Sequence, residues 1–433
     1  MQKKLLAVAV GGAFAAFGAA PALAQNATVN VYGTLYGEYD FISNGAKSGS
    51  QADSYKRYDH FQNPGSEIGF RGEEKLGGGM SAWFQCNTSI DYRGTGNQAS
   101  SNSQAGSSWC TRNSALGLKG AFGNAFFGNW LTPWTRINNA GNVGSNDTGL
   151  WGNAHLISGT SSTFGISSPQ QAINTVSPAV YRRRQNNLFT YETPNFGGFT
   201  AMGAVTTRNF ASSATTQQFK TRLWSLGAQY DNGPLFVGAA FEKHADFYDR
   251  GPTLAAPVAA GIIPGSDRGW TIASAYTFSN NLKLGGSYNS YKSQASFFNA
   301  TTGLGGDTKV STWHIGIDWM FSGPHGVRAG YTRANDVKGN YTFANLTGLA
   351  AANNPTGITG TAMNARPEAG PSTAADMMQI RYVFQASKRT EFTVGASRTN
   401  NRANANYETG GSNSSQFKGA DSHGFGMSMR HSF

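Results

Sequence analysis

Apolar and polar positions alternate along most of this chain. From Val29 the odd positions Val29, Val31, Leu35, Tyr39 and Phe41 are mostly apolar. The positions between them, Asn30, Tyr32, Thr34, Tyr36, Glu38 and Asp40, are polar or carry an aromatic hydroxyl. Successive side chains of a β-strand point to opposite faces, so a period of two predicts a strand with one greasy and one wet face. The pattern is clearest over 312–321, where Trp313, Ile315, Ile317, Trp319 and Phe321 share one face and Thr312, His314, Gly316 and Asp318 the other. Carried along the chain, it predicts sixteen strands, at 28–43, 66–76, 80–92, 111–120, 124–131, 180–193, 198–209, 221–231, 234–245, 268–278, 281–292, 309–321, 326–335, 376–386, 389–400 and 421–433.

A soluble sandwich would alternate too, and three features separate the two. Tight turns such as Gly77-Gly78-Gly79, Asp231-Asn232-Gly233, Ser279-Asn280-Asn281 and Ser387-Lys388 take turns with long connectors such as 94–109 and 339–373, rich in Gly, Ser, Asn and Ala. Short turns at one end and long loops at the other are the pattern of an outer-membrane barrel. Aromatics gather toward strand ends, as at Trp270, Tyr276, Phe278, Trp313, Trp319 and Phe321, which suits girdles at the two membrane interfaces. The apolar faces hold almost no charge near their middles, where a lipid-facing Arg or Lys costs about 2 to 4 kcal/mol. The predicted fold class is therefore all-β, a transmembrane antiparallel barrel of about 16 strands. A barrel of this size encloses an aqueous channel instead of a packed core.

Composition agrees. The 433 residues are 13% charged and 39% hydrophobic, with 56 glycines, against roughly a quarter charged for an ordinary soluble enzyme. A mean hydropathy of -0.39 speaks against a bundle of spanning helices, each of which needs about 20 apolar residues. Residues 1–24 read as a cleaved signal peptide: Lys3 and Lys4, an apolar run, then Ala22-Leu23-Ala24. Export to an oxidising compartment makes a disulfide the simplest state of the lone pair Cys86 and Cys110.

Several stretches resemble the trimeric general porins of Gram-negative bacteria, most closely the betaproteobacterial type. Ser66-Glu67-Ile68-Gly69-Phe70-Arg71-Gly72-Glu73-Glu74 with Leu76-Gly77 resembles the second strand and first turn. Gly117-Leu118-Lys119-Gly120-Ala121-Phe122-Gly123 resembles the fourth strand and its turn, and Tyr191-Glu192-Thr193-Pro194-Asn195-Phe196-Gly197-Gly198-Phe199 the turn between strands six and seven. Val31-Tyr32-Gly33-Thr34-Leu35-Tyr36-Gly37 and the terminal Phe433 complete the set, in the right order over essentially the whole mature chain, 25–433. The resemblance implies a homotrimer in the outer membrane, in contact with outer-membrane lipid and lipopolysaccharide. It also implies that Phe433 ends the strand read by the barrel-assembly machinery, after escort by periplasmic chaperones. The segment 131–179 shows no clear strand pattern, and long structureless loops in compact proteins are usually functional. By order and length it is similar to the third porin loop, which folds inward, so it is expected to form the constriction, with Arg136, Asp147, Trp134 and Trp151 among its residues.

The expected function is diffusion of small hydrophilic solutes and ions, with no cofactor, no metal and no catalytic residues. Strand parity sends Arg71, Lys119, Arg182, Arg184, Lys283, Arg328, Arg381 and Arg430 inward, with Glu38, Asp40, Glu67, Glu73, Glu192, Glu242 and Asp318 as inward acids. The third loop holds one acid, Asp147, and one base, Arg136, while Arg182 and Arg184 follow it. A basic wall facing little negative charge predicts a weak preference for anions. Arg183, on the outward parity, would suit a rim patch that meets lipopolysaccharide phosphates. A substrate-specific channel for an anion or sugar is the alternative, with Trp130, Trp134 and Trp151 as the place for an aromatic slide; a surface adhesin barrel is a more distant one. An enzyme is disfavoured: none of the seven histidines sits in a metal-ligand spacing, and His314 and Asp318 stand over 13 Å apart on one strand at roughly 3.3 Å per residue. The bases are scattered along strands, without the aromatic-basic motif of a nucleic-acid binding module.

Overall fold

The computed structural model describes residues 28–45, 57–93, 109–158, 181–206, 222–247, 265–294, 307–339, 369–405, 407–410 and 418–433. The expected signal peptide, residues 159–180 of the third loop, and most of the connectors 94–109 and 339–373 lie outside these residues. Among the described residues, one antiparallel sheet contains eighteen strand segments. They are β1 (Thr28–Ser43), β2 (Arg57–Gln62), β3 (Glu67–Gly77), β4 (Met80–Ser89), β5 (Ser114–Gly120), β6 (Gly123–Leu131), β7 (Arg184–Glu192), β8 (Phe199–Thr206) and β9 (Arg222–Asn232). The second half comprises β10 (Leu235–Phe247), β11 (Gly265–Thr277), β12 (Leu282–Gln294), β13 (Asp307–Ser322), β14 (His325–Ala334), β15 (Lys338–Gly339), β16 (Ala375–Gln385), β17 (Thr390–Asn401) and β18 (Ser422–Ser432). Two helices interrupt the run, α1 (Pro133–Gly141) and α2 (Ala154–Ser158).

Apart from β2 and β15, each strand pairs with the next along the chain, and β18 returns to β1 with Thr34 opposite Ser432 and Ser43 opposite His423, which closes the ring. Beyond that register Gly33 and Phe433 exchange backbone hydrogen bonds of 3.1 and 3.0 Å, so the terminal residue seals the seam. Both β2 and β3 pair with β1, at Glu38 to Ser43 and Thr28 to Thr34 respectively, and form one stave broken at 63–66. β15 pairs with β13 past the end of β14 and extends that stave. The barrel therefore has the sixteen staves that alternation predicts. The continuations at β2 and β15 were not predicted, because a Pro-Gly break at Pro64-Gly65 and a two-residue pairing leave no run of alternation to detect. β7 starts at Arg184 instead of 180, since residues 181–183 form a bend.

Exposure follows parity. Val31, Phe127 and Ile380 are 57%, 59% and 57% exposed, while their neighbours Thr34, Phe126 and Gln379 on the other face are buried. Along β16 and β18 the alternation is nearly residue by residue. At about 25 cal/mol per Å², so many outward Leu, Ile, Phe and Met side chains would be unfavourable in water; in hydrocarbon they are not. Among the described residues no helix is long and apolar enough to cross a membrane, so crossing falls to the strands. Cys86 and Cys110 are joined in a disulfide across 24 residues. Chain entropy assigns such a loop about 3 kcal/mol.

Candidate functional site

The inward segment begins with a capped helix. Thr132 stands at the N-cap of α1, its Oγ1 accepting the Thr135 amide at 3.3 Å, and Pro133 opens the first turn with its preset φ. The helix lies on the inner faces of β9 to β12: the Trp134 amide donates to Ser225 Oγ at 3.2 Å and the Asn138 side chain to Asn289 Oδ1 at 2.9 Å. The chain then runs on round the wall. His314 Nε2–H donates to Val143 O at 2.8 Å, Gln379 reaches Ser145, Asn146 bonds Tyr36 Oη at 3.0 Å, Thr148 donates to Pro64 O, and the Leu150 amide donates to the Glu38 carboxylate. With Nε2 donating, His314 Nδ1 accepts, and the Asn153 side chain donates to it at 3.3 Å and to Thr332 Oγ1 at 2.9 Å.

Two glycines show how close this contact is. A Cβ at Gly316 would strike the Val143 carbonyl, and one at Gly424 would stand 2.6 Å from Leu150 Cδ1. Missing side chains on the wall thus make the bed in which the segment lies.

Several residues expected at the open pore are covered by this arrangement. Trp134 and Trp151 are 0% exposed and face the wall, so they form no aromatic slide. Arg182 donates to Asn139 Oδ1 at 2.8 Å and Asn153 Oδ1 at 3.1 Å and is ion-paired with Asp147; its side chain is 3% exposed. Arg136 is ion-paired with Glu192 of β7. Arg381 points inward but lies behind the segment, donating to Asn146 Oδ1 at 3.0 Å with its guanidinium 5.3 Å from the Trp151 ring centre. Glu38, also covered, accepts the Tyr36 hydroxyl at 3.0 Å. Arg183 does not face outward: the bend at 181–183 interrupts strand parity and brings its guanidinium 3.3 Å from His244 Nε2, beside Glu242. In α2, burial pushes His155 down to about 4.

Asp40 and Glu242 are fully covered as well, while other inward residues meet open lumen. Lys119 pairs with Glu73 at 2.6 Å, and Arg328 with Asp318 at 2.8 Å. Arg328 also grips both oxygens of Glu391, at 2.7 and 2.8 Å. Arg112 pairs with Glu67 at 2.6 Å. A cavity of about 210 Å³ between the 146–148 turn and the wall is lined by Arg112, Arg328, Arg381 and Arg430 together with Glu67, Asp147 and Glu391. Arg112 and Glu391 were missed in the sequence. The signal for Glu391 was available, as it alternates with the outward Phe392 and Val394; Arg112 falls inside the predicted strand 111–120 on the parity opposite Lys119, but β5 starts only at Ser114, so that parity does not apply to it. Among the described residues no carboxylate lies within ion-pair distance of Arg71, Arg184, Lys283 or Arg430, and Arg71, Lys283 and Arg430 are exposed.

A closed sixteen-stave barrel with a loop bound to its inner wall is a recognisable architecture. A family model for Gram-negative porins matches residues 7–405. The chain belongs to the Gram-negative porin family. It is 28% identical to outer membrane porin protein 32 of Delftia acidovorans over 76% of this chain and 79% of that one. It is 27% identical to the major outer membrane protein P.IB of Neisseria meningitidis serogroup B over 56% of this chain, a match that spans 60% of the relative's length. Among solved structures, an anion-selective porin from Comamonas acidovorans superposes with a TM-score of 0.63 at 20% identity, covering 94% of this porin and 100% of that chain. OmpT of Vibrio cholerae superposes at 0.58 with 14% identity, covering 96% and 100%. This porin is accordingly an outer-membrane protein of the Gram-negative type.

Proposed function

We propose that the barrel is a water-filled diffusion channel for small hydrophilic solutes, with a weak preference for anions. One observation carries the preference: the bases and acids of the lumen are not equally available to water. Arg71, Arg184, Lys283 and Arg430 have no carboxylate partner among the described residues. Of the acids on the staves, Glu67, Glu73, Glu192 and Asp318 are ion-paired, and Glu38, Asp40 and Glu242 are fully covered. Asp231, beside a turn, is an open acid at the rim, and the exposed Asp59 and Glu74 carry the outward parity, opposite Phe41 and in line with Gly72. A unit charge at about 4 Å in water is worth about 1 kcal/mol, and salt screens it beyond about 8 Å. Such a lumen biases ion flow several-fold without excluding either sign. The anion selectivity named for the Comamonas structure is in keeping with this.

The third loop, bound to half of the wall, sets the narrow part of the channel. The assembly we propose is a homotrimer, as one OmpT structure is described, with Phe433 as the residue read during barrel assembly and outer-membrane lipid, including lipopolysaccharide, as its surroundings. Reversal potential across a planar bilayer under a tenfold KCl gradient tests the preference: chloride permeability should exceed potassium permeability by two- to fivefold, and a preference for potassium overturns it.

A further inference from the structure

The part of the inner wall that the described residues of the third loop leave open carries two aromatic rings that lie against glycines. Trp83 of β4 stands opposite Gly117 of β5, where a Cβ would come within 2.6 Å of the indole Cε2 and Nε1. Tyr32 of β1 stands opposite Gly69 of β3, where a Cβ would meet the Tyr32 ring at 2.5 Å. The missing side chains let both rings lie close against bare backbone. The indole is held there: Nε1–H donates to Asn124 Oδ1 at 2.8 Å, and Phe126 and Trp130 meet it edge-on with ring centres 5.4 and 5.9 Å away. Arg71 stands between the two rings. Its guanidinium lies 5.1 Å from the Tyr32 ring centre, it is exposed, and among the described residues it has no carboxylate partner. It pairs with Gln85, two positions from Trp83 on the same face, and such diagonal neighbours are about 7 to 8 Å apart.

Packing at the base of the third loop accounts for Trp130, which rests on the buried cluster of Leu188, Ala204 and Leu223. It does not account for a half-exposed indole spread over Gly117. We propose that this strip is a recognition subsite for aromatic carboxylates: the solute ring stacks on the Trp83 face while its carboxylate takes the Arg71 fork. The inference rests on the channel reading above and goes beyond it in naming a solute class. Stacked aromatic pairs discriminate by about three- to tenfold over area burial alone, and the planar Arg fork matches a carboxylate.

The test compares benzoate with cyclohexanecarboxylate, which have the same charge and similar size but differ in having a flat ring. Each is added to the full-length protein in planar bilayers, and interruption of the single-channel KCl current is recorded. Benzoate should interrupt the current at a concentration three- to tenfold lower. Trp83→Ala should abolish that gap, Trp83→Phe should keep part of it, and Arg71→Gln should weaken both solutes alike. Equal effects of the two acids on the unaltered protein overturn the subsite, as does a gap that survives Trp83→Ala; this comparison stands even if one variant fails to assemble. Complete lack of KCl conductance would instead sink the channel reading.

Discussion

The inner wall of this porin has two halves made from the same alternating strands and put to opposite uses. Where the third loop lies on β9 to β18, many positions under it are small or neutral, among them Gly227, Thr271, Asn289, Thr312, Thr332 and Gly424; Glu242 and Arg381 are covered with them, whereas Lys283, Arg328 and Arg430 of the same strands stand clear of the loop and belong with the open region. From β3 to β7 they are long, charged or aromatic, among them Arg71, Glu73, Trp83, Lys119 and Glu192, and they stay beside water. Covering decides the difference. A polar group sealed under the loop without a partner costs about 1 to 3 kcal/mol, so the covered half is a mesh of short side chains that bond specific loop atoms. In the open half water solvates whatever protrudes, and side chains there are free to serve passing solutes.

The sharpest way to break this comparison is to fill the bed. Gly316→Val sets a side chain where the Val143 carbonyl lies and within 2.9 Å of Ala329 O, two backbone atoms that cannot simply turn aside. The loop should be displaced, with single-channel conductance raised at least twofold or assembly lost. Gly203→Ala on β8, where the nearest atom is 3.6 Å away, should conduct as the unaltered protein does.

Next in size is the loop anchor at Glu38. Glu38→Ala removes the acceptor of the Leu150 amide and the Tyr36 hydroxyl, and hydrogen bonds to charged groups contribute about 1.5 to 3 kcal/mol each. Thermal unfolding should show a loss of about 3 kcal/mol, accompanied by greater open-channel noise. Glu73→Gln breaks an ion pair in the open half, where solvent limits the effect to about 1 kcal/mol or less. Equal losses from the two variants would erase the distinction between the halves.

The barrel itself was legible because alternation is a local property: each of the sixteen staves announces itself within ten residues. The division of the wall was not, because it depends on which staves a distant loop touches. Arg182 and Arg381 have the inward parity of Arg71, yet only three-dimensional contact with Asn139, Asn146 and Asn153 hides the first two. Trp134 and Trp151 were legible as loop residues but not as wall-facing ones, since a short helix and an irregular turn carry no parity. Arg183 failed for a related reason: a bend just before β7 breaks the count by which faces are assigned.

Selectivity sharpens the comparison from the open side. Arg430→Glu reverses a water-facing charge at the 210 Å³ cavity and should move the chloride-to-potassium permeability ratio several-fold toward potassium, with conductance nearly unchanged. Arg381→Gln alters a charge covered by the loop and should shift the ratio less. A larger shift from Arg381 would mean that the loop does not screen it from the permeating ions.

Acid should separate the halves most subtly, through His155. Burial holds its imidazole down to about 4, and its buried Nδ1 has no partner among the described residues. Its ordinary value is about 6.5, so the unfolded chain takes up the proton first. The stability that neutral His155 confers is complete above about pH 6.5, declines as pH falls, and is lost through pH 4. A charge placed on α2 then has no acceptor, and the packing of Leu156 and Ile157 beside it loosens. Current noise should therefore grow between pH 6 and pH 4, and His155→Gln, which cannot acquire the charge, should flatten that growth. Neutral substitutions of carboxylates in the open half should raise the anion preference without adding noise. Noise that grows equally in the His155→Gln variant would assign the acid response to the open half instead.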